Sequence, residues 1–130
     1  MAVPGETDLA KMLASLQVER RPGVFTYAAV AVPTSELLAA AHGMVNEAES
    51  TTLILPVEAA ELAGLPVDIE LAWLSLTVHS SLEAVGLTVA FAATLGAHGI
   101  PCNVLAGYHH DHILVPVDKA QRAIDALTEG

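Results

Sequence analysis

The chain has 130 residues, enough for one well-buried core or two small lobes sharing one. Its 15 Asp and Glu against 5 Lys and Arg, with no basic residue between Pro22 and Asp118, exclude a basic nucleic-acid face and count against phosphate-bearing ligands. No apolar run reaches the roughly 18–20 residues of a membrane span. The acidic start Met1–Asp8 lacks a signal-peptide pattern, and the lone Cys102 has no partner in the chain, so a buried thiol in a cytoplasmic protein is expected.

In chain order, Asp8 to Leu16 carries a short amphipathic helical pattern (Leu9, Met12, Leu13, Leu16), ended by a turn at Arg20-Arg21-Pro22-Gly23. Val24 to Val32 is β-branched and aromatic, a strand. Pro33-Thr34-Ser35-Glu36 opens a brief helix through Ala41, stopped at His42-Gly43. Met44–Glu47 and Thr51–Leu55 read as a hairpin, followed by a helix from Val57 to Ala63, a stop at Gly64 and a linker at Leu65-Pro66. The order then repeats. Ile69–Val78 is a strand carrying the sole Trp73, and Ser81–His98 a longer helix stopped by Gly99. Ile100–Gly107 and His110–Val115 form a second hairpin, and Val117–Leu127 closes the chain as a helix.

Direct repetition supports this reading. Leu53-Ile54-Leu55-Pro56-Val57-Glu58 recurs sixty positions later as Ile113-Leu114-Val115-Pro116-Val117-Asp118, and Ala60 and Ala63 return as Ala120 and Ala123. One small unit is used twice. Both halves read βαββα, an α+β arrangement of ferredoxin-like type with helices on one face of a mainly antiparallel sheet. The expected repeats are residues 8–66, with a shortened first helix, and 67–130.

Three places could carry chemistry. At Val78-His79-Ser80-Ser81-Leu82-Glu83, Ser80 and Glu83 fit an S-x-x-E capping box, so a helix starts here with its amides facing the loop. Such amides suit a carboxylate, and Gly86 one turn in permits close approach. The loop is a carboxylate-binding site or an ordinary helix cap. Tyr108-His109-His110-Asp111-His112 contains metal-ligand types, but strand alternation lets only His110 and His112 share a face, and His42, His79 and His98 lie on separate elements. No metal or other cofactor is expected. Catalytic motifs are absent: there is no G-x-S-x-G elbow, Walker sequence or G-x-G-x-x-G, and Cys102 has no activating neighbour in sequence.

These stretches, above all Leu76–Gly86, Ala97–Ile100 and Tyr108–Pro116, resemble the ACT domain family, and in particular the stand-alone bacterial proteins with tandem ACT domains related to the regulatory part of aspartate kinases. The resemblance covers Leu9 to Leu127. It implies two βαββα(β) repeats sharing a sheet, and no enzymatic activity. It also implies a small amino acid held by the first strand-to-helix loop and the start of the second strand. Carried onto this chain, those positions are His79, Ser80, Ser81, Leu82, Val85 and Gly86, with Asn103 and Val104. The loop departs from the family's Asp-x-Pro-Gly pattern, having His79-Ser80-Ser81-Leu82, and the second repeat has no closing strand after its last helix. Sharing strands between repeats is the expected remedy. A homodimer or higher oligomer and a separate metabolic enzyme or regulator are the implied partners. The alternative is a structural or protein-interaction module of the same fold without a small ligand.

Overall fold

The computed structural model describes residues 15–77 and 85–128. They form two compact units, Pro22–Ala72 and a second drawn from Met1–Arg21 and Trp73–Gly130. The expected helix over Asp8–Leu16 lies outside the described residues except for its end, where Leu16 is buried.

In the unit Pro22–Ala72, strand β2 (Phe25–Val30) leads through helix α1 (Ser35–Ala40) to the hairpin β3 (Gly43–Asn46) and β4 (Thr51–Pro56), then helix α2 (Val57–Leu62). β4 lies between β2 and β3 and is antiparallel to both, with Ala28 opposite Leu53 and Met44 opposite Leu53. This is a split βαβ arrangement. Alternation decides which side is dry: Ala28, Leu53 and Leu55 point to one face, where Leu37 of α1 and Ala60 of α2 cover them. On the far side of β2, Phe25 pairs with Leu71 as the chain leaves the unit.

The other unit repeats this order. Strand β5 (Leu71–Thr77) gives it Trp73–Thr77, followed by helix α3 (Val85–Ala97), strands β6 (Asn103–Ala106) and β7 (Asp111–Pro116), one 3-10 turn at Val117–Lys119, and helix α4 (Ala120–Thr128). The 3-10 turn replaces the first turn of the α-helix expected from Val117, a common way for a helix to begin. β7 lies between β5 and β6, and α4 packs on α3, β1 and β7. β4 and β7 are offset by sixty residues, as are β3 and β6, and β4 and β7 share one burial pattern with three consecutive buried residues. Pro56 and Pro116 both adopt nearly the same extended backbone, φ −54° and ψ 141° against φ −53° and ψ 136°.

A further strand of this unit comes from ahead of β2. Strand β1 (Gln17–Arg20) pairs antiparallel with β5, Gln17 opposite Thr77 and Arg20 opposite Leu74. This segment was expected to be the exit of a helix and a turn. Its side chains are mostly exposed and polar, so backbone pairing rather than apolar alternation makes it a strand.

Helix ends follow local chemistry. Thr34 caps α1, its Oγ1 accepting the Leu37 N–H at 3.2 Å. α2 and α3 stop identically: Gly64 and Gly99 take φ +73° and +68°, and Leu65 and Ile100 donate back to Ala60 and Leu95 at 2.9 Å. Both are Schellman ends. Among the described residues no helix is long and apolar enough to cross a membrane.

Two predictions follow from this packing. Thr26 is fully buried beside the core, and among the described residues its hydroxyl has no partner. Thr26→Val removes that desolvated group at nearly constant shape and raises stability by about 1 kcal/mol, read as a higher thermal midpoint. Gly99→Ala forces a Cβ into left-handed backbone and lowers stability by about 1–2 kcal/mol in chemical unfolding.

Candidate functional site

The strand-to-helix junction of the second unit runs from the end of β5 at Thr77 to the described start of α3 at Val85. Of the expected site, His79, Ser80, Ser81 and Leu82 lie outside the described residues. Val85 and Gly86 open α3 as described, and Asn103 and Val104 open β6, opposite Leu114 and Ile113 of β7. Both β6 residues are exposed, so their polar and apolar surfaces are open to a ligand. The structure thus sets four of the eight residues on the two expected elements, the helix after β5 and the strand after that helix.

Beside this junction stands a cluster that the sequence only half revealed. Trp73, Ser75 and Thr77 alternate along β5 with Leu74 and Leu76, which are buried, so the three share the opposite face. The β6–β7 hairpin, closed by Gly107 N–H donating to His110 C=O at 2.9 Å, places His110 and His112 alongside them. Trp73 Nε1–H donates to His112 Nδ1 at 3.1 Å, and Ser75 Oγ lies 2.9 Å from the same nitrogen. His110 Nδ1 is 3.5 Å from Thr77 Oγ1, at the limit of a hydrogen bond. The Arg21 guanidinium sits 4.1 Å from the Trp73 ring centroid, a cation–π contact.

An imidazole nitrogen that accepts from an indole N–H cannot also carry a proton, so the geometry holds His112 neutral with its hydrogen on Nε2. Burial lowers its pKa below the usual 6.5, and the positive Arg21 and neighbouring His110 lower it further, while Asp111 opposes them. His110 and His112 share a face as expected, their ring centroids 6.5 Å apart. Among the described residues no three of His, Cys, Asp and Glu gather as a metal-ligand set. Cys102 is partly buried, and burial raises its pKa, which suits an unreactive thiol. The signal that could have found the cluster is the period-two run Trp73, Ser75, Thr77, polar where the facing positions are aliphatic.

The depressed His112 pKa has a signed consequence for stability. The unfolded chain takes up the proton first as pH falls, so the stabilisation is complete above the ordinary histidine value and declines below it. The thermal midpoint falls between about pH 7.5 and 5.5, and His112→Gln, which keeps an acceptor but cannot titrate there, shows a shallower fall.

ACT domain family models match residues 4–72 and 68–129. Among curated proteins none matches. A solved structure from Vibrio cholerae, titled a protein of unknown function and possible transport protein, is 43% identical, covers 96% of this chain and 97% of its own, and superposes with a TM-score of 0.87. The ligand-free regulatory subunit of aspartate kinase from Thermus thermophilus is 12% identical over 86% of this chain and 94% of that one, with a TM-score of 0.59. Aspartate kinase from Clostridium acetobutylicum is 10% identical with a TM-score of 0.62, and 88% of this chain matches 33% of that one. At those identities the two kinases speak to the fold alone. With the family matched over each half and the split βαβ order present in each unit, the chain belongs to the ACT domain family as a tandem ACT protein.

Proposed function

We propose that this protein is a non-catalytic regulatory module that binds a small amino acid at the junction between β5 and α3 of its second ACT unit. The observation that carries the reading is the ACT match over residues 68–129, which spans the His79–Gly86 segment and the start of β6. The ligand carboxylate would meet backbone N–H groups and the hydroxyls of Ser80 and Ser81, since no Lys or Arg stands between Pro22 and Asp118. Asn103 offers both a donor and an acceptor from β6, while Val104, next to it on the strand, turns its side chain to the other face. A site without a charged specificity group suits small neutral or apolar amino acids. The protein works in the cytoplasm as a homodimer or higher oligomer, and passes its signal to a separate metabolic enzyme or regulator.

The second reading, an interaction module of the same fold without a small ligand, is favoured by one observation. β3 and β6 each pair on one side within the described residues, and Met44, Val45 and Val104 are exposed on them.

A thermal-shift screen against the twenty amino acids tests the proposal. A selective ligand stabilises by about 2.7 kcal/mol at a hundredfold excess over its dissociation constant, and one amino acid is expected to raise the midpoint clearly. The double variant Ser80→Ala/Ser81→Ala is expected to abolish that rise while leaving the unliganded midpoint within a few degrees. A rise that survives the double variant moves the site elsewhere. Silence across all twenty favours the interaction module.

A further inference from the structure

The two units differ most in their first helix: α1 has 6 residues and α3 has 13. At 1.5 Å per residue the shorter helix reaches about half as far across its sheet. An open groove of about 500 Å³ lies in the first unit between α1 and α2, lined by Leu37, Ala40, Ala59, Leu62 and Ala63 with Thr34 and Glu36 at its polar end. Leu62 stands at this groove 91% exposed, and Leu38 is exposed on α1. Leu62 and the apolar groove lining beside it make a contiguous exposed patch rather than a single exposed leucine.

Charge selects what would fill it. Pro22–Ala72 contains no Lys or Arg, while Glu36 lines the groove and Glu58 and Glu61 are exposed on α2, Glu58 one turn before Leu62. A second copy of this face would bring carboxylates against carboxylates. A nucleic acid or an acidic peptide would be repelled in the same way. A segment with apolar anchors flanked by Lys or Arg satisfies both the lining and the rim. We propose that the α1–α2 groove docks a short basic, amphipathic helix of a partner protein, its apolar face on Leu37, Ala59 and Leu62 and its cations toward Glu36 and Glu58.

The test uses the full chain and a fluorescein-labelled amphipathic helix of Leu and Lys, about 14 residues long, read by fluorescence anisotropy. Saturable binding is expected, with none for the Leu/Glu counterpart. Leu62→Ser removes an exposed anchor without touching the core. It should keep the thermal midpoint and weaken binding on the order of tenfold, the effect of losing one anchor of about 1.4 kcal/mol. Glu36→Gln/Glu58→Gln should weaken binding roughly threefold and flatten its salt dependence. The charge-matched control Glu47→Gln/Glu49→Gln, in the β3–β4 turn, should leave affinity unchanged. The proposal is overturned if the Leu/Lys helix does not bind saturably, if Leu62→Ser has no effect, or if the two double variants weaken binding equally. Self-association of the free protein that Leu62→Ser abolishes would assign the groove to a second copy and overturn it as well.

Discussion

The pairing of β1 with β5 is the constraint on which the second unit rests. Four backbone positions, Gln17 to Arg20, close a sheet whose other strands come from beyond Ala72. Their side chains contribute little, since most are exposed. The ladder therefore acts through hydrogen bonds that would otherwise leave one edge of β5 unpaired, an edge carrying Leu74 and Leu76 in its buried register. Arg21 extends the contact by two independent means: its N–H donates to the Trp73 carbonyl at 2.8 Å, and its guanidinium stacks on the Trp73 ring. With Trp73 so fixed, its indole can fix His112 in turn.

The two ACT units show how one pattern is reused with different outcomes. β4 and β7, their following prolines and the glycine-terminated helices α2 and α3 obey the same local rules in both units. The differences lie where packing leaves choice. The long α3 buries Phe91 and Leu95 completely, whereas the short α1 buries only Leu37 among its residues. The face away from the helices carries Trp73, Ser75 and His112 in one unit, while in the other Phe25 meets the edge of the His42 ring at 4.9 Å. Histidine beside a buried aromatic recurs, but only His112 accepts a hydrogen bond from it.

Much of this was legible in the sequence because it is governed by local pattern. Alternation in Phe25–Val30, the repeated Leu-Ile-Leu-Pro and Ile-Leu-Val-Pro segments, and the stops at Gly64 and Gly99 each carry a physical signal within a few residues. The resemblance added the family and an expected ligand site; of its loop positions Val85 and Gly86 stand in the helix, and Asn103 and Val104 open the strand. Two features were not legible. Gln17-Val18-Glu19-Arg20 has one apolar residue and becomes a strand through a partner nearly sixty residues away. The groove beside Leu62 lies between two helices that are far apart in the pattern, and sequence shows each helix but not the space between them. The His112 cluster lies between these cases: its residue types were visible, while its contacts depend on the register of three strands.

The close meeting of Arg21 and Trp73 also governs the order in which the chain can fold as it is made. Everything Pro22–Ala72 needs for its core lies within its own span, down to the Leu71 partner of Phe25. Once that stretch has left the ribosome its contacts are all available. β1 emerges earlier but has no partner until β5 follows, so a strand synthesised before β2 is placed after it. Loop-closure entropy across the intervening residues is then reduced, because an already compact unit brings the two ends together more readily than an open chain would.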